Sequence, residues 1–538
     1  LKYKVRKNKS KEADIDLSFL QQEINTDLLE QLYDIVATHS DHIAVRWHEE
    51  ELTYGRLMQR VEHTALKLHE QGVNEQSRLL LFHPNSIEYV ILLLAGLTTG
   101  AVLIPIDFKL APDLLQRVIH EAAPNFAFYP AHLADRIRHE DHMFARGVRF
   151  LISDSEEEPE PETVNFNTEL DEQTVPQQVH QHPQTRVVYF YRNQRGKMIG
   201  AEFRLNKLVS QAHKVRRRFS IFKSDHLLCQ MSLAHYVILS NMLFPALLSS
   251  ATLLLLDRDE DDARVDEIIE RYSPHLMINT RKYYYIMLKH LRDSGRNHKI
   301  VNCVMIYDGT RLDWMEEFEE QFRAHLLPGL ASPLIAGFVT LTLPFLCRVE
   351  GSVGTPMIGV EYHIINRDGE VLPAGEWGEL VIDSPYGLDN FFNNTDLQFE
   401  KGVEDYYHTH QMARQDAGGY LYLADEVQDV IRLRGFKISP LEIEEELMKL
   451  PGVDDAVATN GFTRRNETIL AFVKLEEGSQ LTSDEVLQEA CRTMPGYLHP
   501  EQVLLVDEIP YSNEDRKLRV ELKDRMENQI TGGSSESV

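Results

Sequence analysis

Cysteine is scarce and scattered. Cys229, Cys303, Cys347 and Cys491 are the only four in 538 residues, and no two form a CxxC pair. That spacing argues against a zinc site or a disulfide framework and points to a reducing compartment, so a cytoplasmic location is expected. Positive charge is in short supply too. Against 84 acidic residues stand 56 lysines and arginines, a net charge of −28, which argues against a general nucleic-acid binder. Long apolar runs are missing but for one, IEYVILLLAGLTTGAVLIPI at 87–106, which has the length of a membrane span. Glu88 lies inside it, Gly96 and Gly100 interrupt it and Pro105 closes it. A buried helix followed by a buried strand is therefore expected, with no membrane span. No apolar block follows the basic opening LKYKVRKNKSK, so no secretory leader is expected. One further lack is local: residues 321–349 contain no Asp or Glu.

What is present reads as an ordinary globular chain, 43% hydrophobic and long enough for several domains. Thr26 is placed to cap an amphipathic helix bearing Leu28, Leu29, Leu32, Ile35 and Val36. Short apolar strands (SRLLLFH, AVLIPI, NFAFYP, VRFLIS) alternate with helices, the pattern of parallel α/β packing. The acidic, Pro-containing stretch 154–173 reads as a loop or insert, and 257–267 as a second acidic turn. Near the C-terminus, Ser439, Pro440 and Glu442 form a helix-start signal. Ile443, Leu447 and Leu450 follow as a buried stripe. Strands DDAVATN and TILAFVKL and the helix SDEVLQEACRTM complete a small α+β unit. The expected organisation is a basic arm (1–25), a large α/β portion (26–427), a small C-terminal domain (428–530) and a disordered tail (531–538).

The stretch FYRNQRGKMIGAEF at 190–203 raises the functional question. A strand, TRVVYFY, precedes it, and a helical pattern at Leu205, Leu208, Val209 and Ala212 follows. A turn holding Gly196 and Gly200 with Arg192, Arg195 and Lys197 has the layout of a phosphate loop. Such loops use small residues so that backbone N–H groups can close on the oxygens, and here Arg192, Asn193, Gln194 and Arg195 fill those positions.

Four stretches together make the chain resemble the adenylate-forming superfamily of acyl-CoA synthetases and peptide-synthetase adenylation domains. They are LTYGRLMQRVEHTALKLHEQGV, NSIEYVILLLAGLTTGAVLIPID, GSVGTPMIGVEYHIINRDGEVLPAGEWGELVI and DVIRLRGFKISPLEIEEELMKLPGVDDAVA. The resemblance spans about residues 26–525 and implies a large α/β portion with a small mobile α+β C-terminal domain. It also implies two half-reactions: a carboxylate and ATP give acyl-AMP and pyrophosphate, and a CoA or carrier-protein thiol then takes the acyl group.

The matched positions depart from the superfamily's pattern where nucleotide would bind. In the phosphate loop Gly196, Lys197 and Gly200 match, while Ile199 replaces a lysine. Asn193 can still adopt a left-handed backbone. Two readings stay open: Arg192, Arg195 and Lys197 bind phosphate by side chain, or the loop is a remnant whose charges face water. In AGFVTLT, Gly337 matches, but Val339 and Thr340 stand where the superfamily has Thr and a magnesium-binding Glu. Gln411 stands for the ribose-binding Asp, and Asp425 and Glu426 for a Gly-Arg turn. Gln428 takes the hinge position, beside the matching Asp429 and Arg432. The adenylation lysine aligns with Arg516, or with Lys517 after a one-residue slip. On the thiol side Gly435 and His235 match, though both also read as packing residues. The resemblance thus implies ATP and Mg²⁺ as reactants only if the chain is active. Its expected role is that of a pseudoenzyme binding a carrier protein, CoA or a partner synthetase; the alternative is a divergent acid–thiol ligase.

Overall fold

Two large sheets carry the N-terminal portion, and each grows from the strand–helix alternation of the sequence. The computed structural model describes residues 27–138, 148–153, 163–166, 168, 178–192, 197–257, 260–294, 298–307, 314–343, 348–366, 368–393, 406–426, 431–433, 436–438, 440–462, 467–476, 478–511, 517, 519 and 521–523. Within these, one sheet pairs Arg186–Arg192, Val102–Ile106, Arg78–Phe82, Phe126–Pro130, Arg149–Ser153 and Thr163–Asn165 in parallel. The other runs in parallel from Ile43–Trp47 through Thr252–Leu255, His226–Cys229, Leu276–Thr280 and Asn302–Ile306 to His325–Ser332. Strands such as Asn302–Ile306 are buried on both faces, which parallel sheets covered by helices require. Antiparallel strands finish the edges, including Gly337–Leu341 and Thr355–Pro356.

The helix Ile87–Gly96 is buried on every side that carries an apolar residue, and only Glu88 is partly exposed. The Ser86 hydroxyl caps it by accepting the Tyr89 N–H at 3.0 Å. Gly100, at φ 78°, then turns the chain into the strand Val102–Ile106. The apolar run 87–106 is thus a buried helix and a buried strand. Among the described residues no helix is long and apolar enough to cross a membrane. One continuous core joins residues of both large sheets to the helices Tyr54–Glu70, Ile87–Gly96 and Leu205–Arg218.

A four-stranded antiparallel sheet, Glu361–Ile365, Gly378–Asp383, Tyr407–Gln415 and Leu421–Glu426, extends the large portion. The C-terminal domain has its own apolar core, running from Ile431 to Val503. Pro440 is the first residue of its helix Pro440–Met448, and Ile443, Leu447 and Leu450 are buried there as the stripe requires.

Three local expectations need correction. The first helix, Leu28–His39, is capped by Asp27, whose carboxylate accepts the Leu29 and Glu30 N–H groups; Thr26 lies outside the described residues. The acidic stretch at 257–267 is more than a turn, since Asp261 caps a helix spanning Asp262–Tyr272. The strand Arg186–Arg192 also does not lead through a glycine turn directly into a helix. It folds back as a hairpin with Met198–Arg204, in the register Tyr189–Ala201 and Phe190–Gly200, and the helix Leu205–Arg218 begins only after the second strand. Gly200 therefore sits inside a strand, where a Cβ would lie 2.9 Å from Phe392 Cβ and 3.2 Å from Val188 Cγ1. Close packing explains this glycine without any ligand.

Candidate active cleft

The strand Arg186–Arg192 ends with the Arg192 side chain pointing into a cavity of about 550 Å³ between the large portion and the C-terminal domain. His235, Lys109 and Lys282 line the same space from other elements, and Tyr511 and Glu521 close it from the C-terminal side. Apolar walls come from Phe190, Met198, Met231 and Ile286. Mixed apolar walls with a few convergent polar groups are what a binding cleft for a small organic ion needs. Burial pushes the Tyr283 phenol well up, so this wall residue is a neutral hydroxyl at pH 7.

Of the residues singled out from sequence, the structure brings Arg192 and His235 to this cavity. Arg192 is not a solvated loop charge: its guanidinium forms an ion pair with Glu521, and its side chain is 10% exposed. His235 stacks on Tyr236, with ring centroids 4.5 Å apart, and its Nδ1 accepts the Val237 N–H at 3.4 Å. Lys197, just before the strand Met198–Arg204, is exposed and is not among the cavity's lining residues. Burial raises the Glu121 carboxyl, and the charge of Lys197 partly offsets that rise. Asn193, Arg195, Gly196, Asp429, Gly435 and Arg516 lie outside the described residues, and of Arg432 only the backbone, in the strand Ile431–Leu433, is described.

Thr340 and Gln411 are not among the cavity's lining residues. Thr340 sits on the strand Gly337–Leu341, across from Leu330 and Pro356, and is fully buried. Its hydroxyl has no hydrogen-bond partner among the described residues. The neighbouring turn is tied down by the protein itself. Ser240 Oγ donates to Ala336 O at 2.7 Å, and the Gln211 carboxamide donates to Ile335 O. A Cβ at Gly337 would collide with that same carboxamide. Gln411 is 6% exposed and paired with Glu426 across two antiparallel strands. Its side-chain nitrogen reaches Met412 O at 3.4 Å, and its N–H donates to Thr409 Oγ1 at 3.2 Å. Beside it, Glu379 accepts from His408 and His410, 3.1 and 3.2 Å away. Burial works to raise the Glu379 carboxyl, but the two imidazoles outweigh it and hold the group below the usual range.

Lys517 is committed elsewhere. Inside the C-terminal domain its ammonium lies 3.2 Å from Glu444 and 3.0 Å from Asp455, and donates to Ala456 O at 2.6 Å. Arg519 shares Glu444 at 2.8 Å, and Glu444, 0% exposed, also accepts the Ala458 N–H. This buried ionic cluster and the cavity residues Lys282, Tyr511 and Glu521 escaped the sequence reading. Their partners lie far off along the chain, 75 residues for Glu444 and Arg519 and 329 for Arg192 and Glu521, and no local spacing reports such pairs.

The cleft itself carries the carboxylates Asp107, Asp113 and Glu508 beside its basic residues, but position 340, which the resemblance assigns to a metal-binding Glu, has no carboxylate. Mg²⁺ takes hard oxygen ligands and usually one or two carboxylates, whereas Thr340 offers a sealed neutral hydroxyl. Among the described residues, one group can gather three metal-type ligands, His48, Asp257 and Glu260, and none of them lines the cleft. The buried thiols are inert by contrast with a reactive cysteine: burial pushes Cys229 up to about 12.

Comparison with known proteins gives a consistent match. The family model described as AMP-binding enzyme covers residues 32–389, and that of the AMP-binding enzyme C-terminal domain covers 442–515. The chain is 23% identical over 486 residues to a feruloyl-CoA synthase of Amycolatopsis sp, spanning 90% of this chain and 95% of the relative. It is 25% identical over 483 residues to an indoleacetate–CoA ligase of Aromatoleum aromaticum, spanning 87% and 92%. Among solved structures it is similar to the O-succinylbenzoate coenzyme A synthetase of Bacillus subtilis in complex with ATP and magnesium ion. The TM-score is 0.78 at 19% identity, over 93% of this chain and 100% of that one.

Proposed function

From the premise that this chain belongs to the AMP-binding enzyme family, we propose that it keeps the adenylate-forming fold without appreciable ATP-dependent adenylation and acts by binding. The candidate partners are a carrier protein, the pantetheine of CoA, or a partner synthetase. The observation that carries the reading is Thr340. It stands where the resemblance implies a magnesium-binding Glu, is fully buried, and has no carboxylate neighbour in sequence from 321 to 349. Three further features support it. Gln411 replaces a carboxylate and so loses a charge-assisted acceptor. Arg192 is engaged by Glu521. Lys517 is engaged by Glu444 and Asp455. Losing one preorganised group that stabilises developing charge typically slows a reaction by roughly 10²–10³, and several positions are altered here.

A second reading rests on the near end-to-end match to CoA ligases and on the basic residues at the cleft. In it the chain is a divergent acid–thiol ligase that binds phosphate through Arg192, Arg195 and Lys197, with ATP, Mg²⁺ and CoA as its reactants.

Calorimetry with ATP and Mg²⁺ separates the two readings whatever the acid. The expected result is no saturable heat at millimolar nucleotide, with or without the metal. A micromolar dissociation constant that requires Mg²⁺ overturns the proposal and points to a metal ligand supplied by another residue.

A further inference from the structure

The contact between Arg192 and Glu521 joins the large portion to the C-terminal domain, and it does not stand alone. The Lys282 ammonium lies over the Tyr511 ring, 5.0 Å from its centroid. The Tyr511 hydroxyl donates to Asp455, and Asp455 is in turn held by Lys517 at 3.0 Å. Tyr511 is thereby fixed to the buried ionic cluster of the C-terminal domain. Arg192, Lys282, Tyr511 and Glu521 all border the same cavity. The Arg192 and Glu521 side chains are 10% and 20% exposed, so the pair is partly shielded yet still within reach of solvent ions.

We propose that Glu521 is a tethered anion that locks the C-terminal domain onto the large portion by occupying Arg192, with the Lys282–Tyr511 stack as the second point of the latch. Domain contacts within a chain are mobile unless something holds them. A carboxylate carried on the chain acts at an effective concentration in the millimolar range, so it outcompetes a dilute external anion of equal affinity. The latch therefore masks Arg192. It also links opening of the domain to whatever anion displaces Glu521, because a ligand that binds only the open form shifts the population toward it. This goes beyond the functional reading above: the latch operates whether or not adenylation survives, and its test uses no nucleotide.

Small-angle X-ray scattering on the full chain tests it. At physiological ionic strength Glu521→Gln and Arg192→Gln should each enlarge the radius of gyration. The double variant should open no further than either single variant, because the two act through one contact. Lys289→Ala removes a further contact between the two parts, an exposed pair with Glu476 at 3.9 Å; such open-surface pairs contribute little, so the wild-type radius should be unchanged. Wild type itself should expand as salt rises toward ~1 M, where the screening length falls to about 3 Å; this arm needs no variant and so survives a folding failure. Variants as compact as wild type, additive effects in the double variant, or a radius indifferent to salt would each overturn the proposal.

Discussion

Glu444→Ala is expected to destabilise the C-terminal domain by about 3–5 kcal/mol, the usual consequence of removing one partner from a buried charge cluster. Glu444 is fully buried and offers its two oxygens to Lys517, Arg519 and the Ala458 N–H. Without it, Lys517 keeps only Asp455 as a carboxylate neighbour at 3.0 Å, Arg519 loses its 2.8 Å carboxylate, and the buried Ala458 N–H loses its acceptor. Hydrogen exchange along the strands Val453–Phe462 and Glu467–Leu475 reads this locally, since the first packs on the cluster's helix and the second pairs with the first. Glu444→Gln keeps an acceptor for Ala458 and should cost less. Replacing Glu444, Lys517 and Arg519 together by apolar residues of like volume should restore much of the loss, because the desolvation cost disappears with the charges. The cluster is also acid-sensitive. Burial pushes the Asp455 carboxyl up, but Lys517, Tyr511 and Lys282 outweigh it and hold the group below 3.8. A depressed folded-state value contributes stability that is fully present above 3.8 and is lost as the pH falls through the lower, folded-state value. Protection that is unchanged in Glu444→Ala would mean that the cluster is solvated.

Thr340→Glu is the second substitution with a large expected effect, and it addresses the nucleotide side directly. If the position opened onto a metal site, a carboxylate there would be tolerated and would strengthen Mg²⁺-dependent ATP binding. The structure places Thr340 at 0% exposure, between strands carrying Leu330 and Pro356. Arg218, which reaches the same strand, already donates to Leu341 O, and burial lowers that guanidinium to about 10. A glutamate at 340 must therefore overpack a filled site and either bury a charge or take up a proton. A loss of about 3 kcal/mol or more is expected, with no gain in ATP affinity. Thermal unfolding and nucleotide titration of the variant check both halves. A variant as stable as wild type that binds ATP with Mg²⁺ would show that a usable metal position survives.

Much of the fold was legible because its signals are local. The run 87–106 carries its own helix, its Gly100 turn and its strand, and Pro440 with the Ile443, Leu447 and Leu450 stripe announces the C-terminal helix. Errors arose where a neighbour in sequence competed, as with Asp27 for Thr26 at the first cap, or where a partner was distant. Gly200 has the sequence dress of a loop glycine, yet its smallness answers Phe392 on a paired strand. The site was legible in a different sense. By resemblance, local motifs align Thr340 and Gln411 with positions proposed for the metal and ribose ligands, but they do not say what those side chains meet in the fold. That depends on side chains meeting across the fold: Arg192 with Glu521, Lys517 with Glu444 and Asp455, Gln211 with the turn before Gly337. A basic residue in a loop motif reads as a phosphate ligand or as a solvated charge. The third possibility, an internal ion pair with a residue 329 positions away, has no sequence signature.

The central proposal is that this adenylate-forming fold does not carry out appreciable carboxylate adenylation, and acid-dependent exchange of labelled pyrophosphate into ATP measures that half-reaction alone. Run with fatty, aryl and amino acids, ferulic and indoleacetic acids included because of the relatives' names, the account predicts exchange at the level of the acid-free control for every acid. Robust exchange that depends on one acid and on Mg²⁺ would contradict it, and would make this chain a working ligase whose metal and phosphate ligands lie outside the positions named here.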